Sequence, residues 1–436
     1  KKSQFAGAST KIGEKELKDQ PVGSFDQILQ GRAAGVLAVT GSGAPGTSST
    51  IIIRGQGTIE GGSSPLYVVD GIPVEAGVFQ GYNPNDFASV EILRDAASTA
   101  LYGSRGSAGV IVVTTKRGSS GKMKLGYSMQ MGIKSKPEYS FRPMNTTELL
   151  KAQEDFGRVL NTPSNPFMGS DVIPGWYYSH ENPMYATLSP DQQATNNRIL
   201  DSISKINTDW SDYIFKNGKF SNHQLTLSGG TGKTRLYSSL ALYNEIGTTL
   251  RTDMKRITFV NNIDHADDKF SYSVSMNLGY TKRNFQQSTV SNSLANPFLT
   301  SAVNVPYAKV RNDDGTFATG PGASNAAANQ LDLNYYDRNY SNQFKSTLGL
   351  NLAYKITKDL TANFVTGIDF RETQNSNYGS RQAYTRRASG SVTGHAGFQS
   401  EGLTRFFSGD IRPSLTYKKM LKEKHEFEVT VLGEYI

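Results

Sequence analysis

Pro65-Leu66-Tyr67-Val68-Val69-Asp70-Gly71-Ile72-Pro73-Val74 sets one apolar, β-branched run against another across Asp-Gly, the strongest short hairpin signal. A strand, a tight turn and a second extended segment follow from it. Working outward, residues 85–98 (NDFASVEILRDAAS) and 102–118 (YGSRGSAGVIVVTTKRG) read as strand, short Ala-rich helix, glycine loop and strand. The whole stretch 65–118 is therefore a small α/β unit with no evident reactive centre.

Three phrases within it, PLYVVDGIPV (65–74), SVEILRDAASTALYGSRG (89–106) and GVIVVTTKRG (109–118), resemble the plug-domain signatures of the SusC/RagA family of TonB-dependent outer-membrane transporters. LQGRAAGV (29–36) and GAPGTSSTIIIRG (43–55) resemble the same family, so the likeness covers nearly all of residues 1–118. Its glycine loop departs from the family pattern Ala-Ala-Asn-Gly, reading Gly106-Ser107-Ala108-Gly109. The resemblance implies a plug within a large barrel, energy delivered by TonB through a segment upstream of Lys1, and a SusD-like surface lipoprotein as lid. It also implies an oligosaccharide or oligopeptide as cargo. A TonB-contacting box precedes this point in the family, so a trimmed N-terminus is expected.

Composition fits such a barrel. Of 436 residues only 37% are hydrophobic, yet Gly (43), Tyr (22) and Phe (21) abound. No run of eighteen apolar residues exists, which excludes a transmembrane helix. With no cysteines, disulfides and thiolate metal sites are excluded. The net charge of +8 has no basic cluster interleaved with aromatics, which argues against nucleic acid as a partner.

Residues 1–21 are polar and are expected to be loosely ordered. Ser24-Phe25-Asp26-Gln27 reads as a capping box opening a short helix, and residues 36–40 and 50–54 as strands. After Gly118 the hydrophobic period becomes two. Tyr272, Val274, Met276, Leu278 and Tyr280 fill one face of residues 271–281, with Ser, Asn, Gly and Thr on the other. The same pattern in 125–133, around 225–228, in 236–244, 257–263 and 348–354, and again from 360, from 407 and from 427 to 435, gives about nine candidate strands. Segments of about nine to eleven residues with aromatics at their ends suit a membrane barrel.

Short polar connections (228–233, 264–269, 355–359, 418–424) alternate with long ones (132–222, 245–255, 282–341, 372–405), the asymmetry of tight periplasmic turns and long outer loops. Residues 146–159 in the first long loop read as a helix. Nine strands cannot close around a plug of this size, and plugged barrels have about twenty-two. The fold expected is thus an α/β plug domain (1–118) followed by the N-terminal part of an antiparallel transmembrane β-barrel (119–436).

Two glycine motifs invite a nucleotide reading and fail it. Gly41-Ser42-Gly43-Ala44-Pro45-Gly46 matches G-x-G-x-x-G but precedes a strand, and Gly229-Gly230-Thr231-Gly232-Lys233-Thr234 has Leu227 where a P-loop needs glycine. Residues 310–314 fail the calcium-loop pattern, with Val310 in the first ligand position. The five histidines are scattered, no catalytic set assembles from spacing, and neither enzyme activity, cofactor nor metal is read.

The residues singled out are charges and aromatics. Arg54, Glu91, Arg94 and Arg105 lie in the plug motifs, while Asp369, Asp410, Arg412, Glu428 and Glu434 alternate with apolar residues and would face the lumen. Arg54 and Arg94 are expected to clamp the plug onto lumen carboxylates. Trp176, Tyr177, Tyr178, Tyr335 and Tyr336 in the outer loops are candidates to stack on sugar rings or peptide side chains. The competing readings are a lid-less TonB-dependent receptor for siderophores or vitamins, and a non-transporting adhesin or secretion-associated barrel.

Overall fold

The computed structural model describes residues 9–18, 29–33, 35–40, 43–47, 49–53, 55, 64–74, 81–162, 173–286, 296–320, 326–387, 397–421 and 425–435. Arg54 and the capping box at 24–27 lie outside them.

Seven strands build the first unit: β1 (Ser9–Gly13), β2 (Val36–Thr40), β3 (Ser49–Ile53), β4 (Leu66–Val69), β5 (Ile72–Val74), β6 (Phe87–Leu93) and β7 (Val110–Thr115). Five form one sheet in the order β1-β6-β7-β4-β5, and β2 and β3 pair separately. Asp70 and Gly71 both have positive φ (49° and 88°), as a two-residue turn of the I′ type requires. The core gathers Leu29, Val69, Phe87, Val90, Ile92, Ile111 and Val113, all from within residues 12–113. Among the described residues the unit thus has a hydrophobic core built from its own side chains.

The expectation of loose order in 1–21 fails for residues 9–18. Ser9–Gly13 pairs antiparallel with Ser89–Leu93, and the helix Glu14–Lys18 follows. Burial of Ile12 and Leu17 holds both in place. Two apolar residues among polar ones leave too short a pattern to reveal a strand.

The second unit is a nine-stranded antiparallel meander: β8 (Gly121–Lys134), β9 (Gly218–Gly230), β10 (Thr234–Ile246), β11 (Asp253–Ala266), β12 (Phe270–Asn284), β13 (Arg338–Lys355), β14 (Leu360–Gly379), β15 (Phe398–Leu421) and β16 (His425–Leu432). Every strand pairs only with its chain neighbours, leaving β8 and β16 at the edges. Several strands run well past the apolar segments, up to 24 residues in β15. Polar residues continue the pairing above the apolar belt, so hydrophobic alternation alone undershot the lengths.

The inner turns are tight, at 231–233, 267–269 and 356–359. Among the outer connections, 247–252 is also short, which corrects the expected strict alternation: Gly247 N–H donates to Thr252 O (2.8 Å) and closes the turn at once. The long outer connections fold into helices. Thr146–Leu160 opens with a capping box of Asn145 and Glu148. Pro190–Ser204 and Trp210–Ile214 follow, then Pro297–Val303 and Ala326–Tyr336 from the next long connection. Trp210, Ile214, Phe215, Ala327, Ala328 and Leu331 pack these last segments into a separate apolar cluster.

Candidate functional site: the interface between the two units

The first unit makes contacts on strands from β8 to β15. Nine strands laid flat would span about 40 Å at 4.8 Å per strand, so the sheet must curl around it. Alternation assigns one face of each strand to this interior. On β14, Gly367 and Asp369 are buried while Phe364 and Ile368 are exposed.

Polar contacts dominate the seam. At the chain junction Arg117 bridges Asp70 (3.2 Å) and Asp264 of β11 (3.3 Å), and its Nη1 also donates to Ser273 Oγ at 2.8 Å. Asp70 accepts from Thr115 N (3.0 Å) and Thr115 Oγ1 (2.5 Å). Asn262 Nδ2 donates to Thr115 Oγ1 (2.8 Å) and Lys116 O (2.7 Å). The Asp-Gly turn, the end of β7 and two barrel strands are thus tied into one network.

Asp86 is buried against β9 and β10, where its Oδ1 accepts from Gln224 Nε2 (2.7 Å) and Tyr237 OH (3.0 Å). Its Oδ2 is buried with no hydrogen-bond partner. Burial pushes the Asp86 carboxyl above the usual aspartate value, with Ser239, Tyr237 and Gln224 hydroxyl and amide donors opposing it. Further round, Tyr82 OH and Thr347 Oγ1 share a 2.6 Å hydrogen bond, and Thr347 donates to Asp369 Oδ1 (3.0 Å), which also pairs with buried Lys345. Burial raises the Tyr82 phenol, which stays protonated.

Glycines let backbone and plug meet. A Cβ on Gly279 would stand 2.1 Å from Gly81 O, and Cβ atoms on Gly349 and Gly367 would lie 2.5 Å and 2.6 Å from the Ile72 side chain. The hairpin tip therefore seats in a notch that only glycine leaves open.

The residues singled out from sequence fall in several places. Arg105 Nη2 lies 2.9 Å from Glu434 Oε1, joining plug to barrel. Arg412 pairs with Asp410 (2.8 Å) and donates to Gly71 O of the hairpin turn. Asp369 sits in the Lys345–Thr347 network. Glu428 shares the inward face but meets Lys418 (3.3 Å) on its neighbouring strand. Glu91 lies inside the plug sheet, opposite Lys11 of β1 and Val112 of β7. Arg94 Nη1 is 3.4 Å from where a Cβ on Gly35 would stand, in the plug's own loop. Trp176 is 1% exposed and fits over Gly157, whose Cβ would come within 2.2 Å of its ring. That makes it a packing residue of the loop, correcting its reading as a substrate contact. Tyr177 and Tyr335 are exposed, each edge-on to its neighbour Tyr178 or Tyr336 at 5.0 Å.

Among the described residues, a strand and no helix follows each of the two glycine motifs. Gly46 O accepts from Arg283 Nη1 (2.8 Å) and β3 follows, while Gly229–Thr234 spans the β9–β10 turn. Sequence reasoning missed Arg117, Asp86 and Tyr82. Arg117 stands within the quoted phrase GVIVVTTKRG and could have been noticed there; nothing marked the other two.

Comparison with known proteins fits this geometry. The TonB-dependent receptor plug domain matches residues 1–110. "TonB-dependent receptor P3" of Formosa agariphila is 29% identical over 450 residues, covering 100% of this chain and 38% of the relative. "TonB-dependent receptor SusC" of Bacteroides thetaiotaomicron is 27% identical over 265 residues, covering 59% of this chain and 23% of the relative. The chain carries a TonB-dependent receptor plug domain and is similar along its length to TonB-dependent receptors, SusC among them.

Solved structures carry the same fold. The RagAB peptide importer in its closed-closed state superposes with a TM-score of 0.77 at 21% identity, over 99% of this chain and 47% of that one. The ferric citrate transporter FecA, unliganded, gives 0.53 at 12% identity, over 99% and 47%. The chain spans less than half the length of these SusC/RagA and TonB-dependent relatives. The seam described above is, in family terms, the face between plug and barrel.

Proposed function

We propose that the full-length protein actively imports a nutrient, an oligosaccharide or oligopeptide, across the bacterial outer membrane. TonB supplies the pull through a segment upstream of residue 1, and a SusD-like lipoprotein lids the outer mouth. One observation carries the reading. The plug keeps a core of its own and is held in the barrel by hydrogen bonds, ion pairs and glycine notches. Partly hydrated contacts such as Arg117 with Asp264 exchange readily for water when the two units separate. A stopper built in this way can be displaced and reseated without unfolding.

The cargo passes unchanged, and we assign no chemistry to the chain. Tyr177 and Tyr335 in the outer loops are the proposed cargo contacts, with Tyr178 and Tyr336 behind them. Arg105 with Glu434, and Arg412 with the hairpin turn, are the proposed latches at the β15–β16 side of the sheet. Whole-cell uptake tests the reading. Deleting the upstream TonB-contacting segment should abolish accumulation while leaving surface binding of cargo intact. Unchanged accumulation would refute energised import and favour a fixed-plug adhesin or secretion-associated barrel. Uptake that survives loss of the lipoprotein would instead favour a lid-less receptor for siderophores or vitamins.

A further inference from the structure

The outward face of β10–β13 carries two adjacent rows whose chemistry changes abruptly. The inner row, Leu242–Ile257–Tyr280–Phe344, runs across four strands in register, and all four side chains are 40–49% exposed. One step toward the long-loop end lies Asn244–Lys255–Lys282–Asn342, again in register. Lys255 and Lys282 stand directly opposite one another and both are exposed.

Like charges facing each other across an antiparallel pair are destabilising, since Cβ atoms there are only about 5 Å apart. Among the described residues neither lysine has an ion pair with a carboxylate. The nearest acid on this face, Asp253, is taken by Asn284 Nδ2 at 3.0 Å and 2.9 Å. Lys282 also lies 5.6 Å from the centroid of the Tyr340 ring, which holds the ammonium close to the strand surface.

Position relative to the membrane supplies the occupant. Outward residues of β12 from Tyr280 to Phe270 are Tyr280, Leu278, Met276, Val274, Tyr272 and Phe270, an unbroken apolar belt with aromatics at both ends. Ten residues at about 3.4 Å, tilted about 40°, span roughly 25 Å, the height of a barrel's lipid-facing band. The lysine pair therefore sits just outside the outer girdle, at headgroup level.

We propose that Lys255 and Lys282 bind the phosphate of a phosphorylated outer-leaflet glycolipid, with its acyl chains lying on Leu242, Ile257, Tyr280 and Phe344. The flanking Asn244 and Asn342 amides complete a row of four donors for the headgroup. This site is on the outside of the barrel, far from cargo, and rests on the outer-membrane reading above.

The test is native mass spectrometry of the full-length protein released from nanodiscs containing bisphosphorylated lipid A, or the same lipid with its phosphates removed. Wild type should retain the phosphorylated lipid and lose it as salt rises. K255Q/K282Q should retain at least about ten-fold less, while holding the phosphate-free lipid as wild type does. Removing two facing charges should leave heat-modifiable mobility on gels unchanged, which separates lost binding from lost folding. Equal retention by the variant, equal retention of both lipids by wild type, or displacement of the lipid by millimolar inorganic phosphate would each overturn the proposal. Failure of both chains to insert into the bilayer would overturn the outer-membrane reading, and this site with it.

Discussion

Ile72 of the plug hairpin occupies the space that Gly367 of β14 leaves empty: a Cβ on Gly367 would lie 2.6 Å from Ile72 Cγ1. Gly349 of β13 completes the notch: a Cβ there would lie 2.5 Å from Ile72 Cδ1. Gly367→Val should force the hairpin tip out, at about 1–3 kcal/mol for overpacking. The expected readouts are faster proteolysis of the plug and a measurable ion leak in planar bilayers, with the barrel still heat-modifiable. A variant as tight and as resistant as wild type would show that the notch does not seat the plug.

Arg117 connects Asp70 of the plug to Asp264 of the barrel, and is the only cation in contact with both among the described residues. Arg117→Ala should weaken plug docking by about 1–3 kcal/mol, since both carboxylates lose a charged donor. Because Arg117 remains 27% exposed, the difference between variant and wild type should shrink in high salt. Force-spectroscopy rupture of plug from barrel, at low and high ionic strength, reads both effects.

Asp86 gives docking a pH dependence of definite sign. Its carboxyl is raised above 3.8 by burial, so the docked state binds the proton more tightly than the released plug. Docking stability is therefore greatest below the ordinary aspartate value and falls as pH rises from there through the raised one. Asp86→Asn keeps an oxygen for Gln224 and Tyr237 and removes the titration. Plug protection measured by hydrogen exchange should lose this slope in the variant; an unchanged slope would assign it to another group.

In the outer loops, Trp176 and its neighbour Tyr177 should behave oppositely. Trp176→Ala empties a buried site and should destabilise the helix Thr146–Leu160 by about 3–5 kcal/mol. Tyr177→Ala and Tyr335→Ala remove exposed rings and should weaken cargo binding while leaving thermal unfolding within about 0.5 kcal/mol of wild type. Calorimetry with the purified receptor separates the two; unaltered binding in both tyrosine variants would remove these loops from the cargo site.

Much of the fold was legible because its signals are local. Asp70-Gly71 marked the hairpin, and alternation such as Tyr272 to Tyr280 marked barrel strands and which face turns outward. The strand Ser9–Gly13 was not, since its order comes from pairing with residues 89–93 far along the chain. The seam was harder still. Tyr82 with Thr347 and Asp86 with Gln224 are partners separated by 265 and 138 positions, brought together only when the sheet curls. Alternation could say that Asp369 and Asp410 point inward but not that Lys345 and Arg412 would meet them. Trp176 misled because an aromatic cluster in a loop reads alike whether its rings face solvent or a helix.

The displaceable plug can be tested at the same notch. Gly367 and Ile72 lie within disulfide reach, and the chain has no cysteine of its own. Full-length protein carrying Ile72→Cys and Gly367→Cys should form the bond under oxidation, stop accumulating cargo in whole cells, and recover when reductant is added. Undiminished uptake by cells in which the bond is shown to have formed would mean that cargo passes without moving the hairpin from the barrel wall, contradicting the displaceable plug.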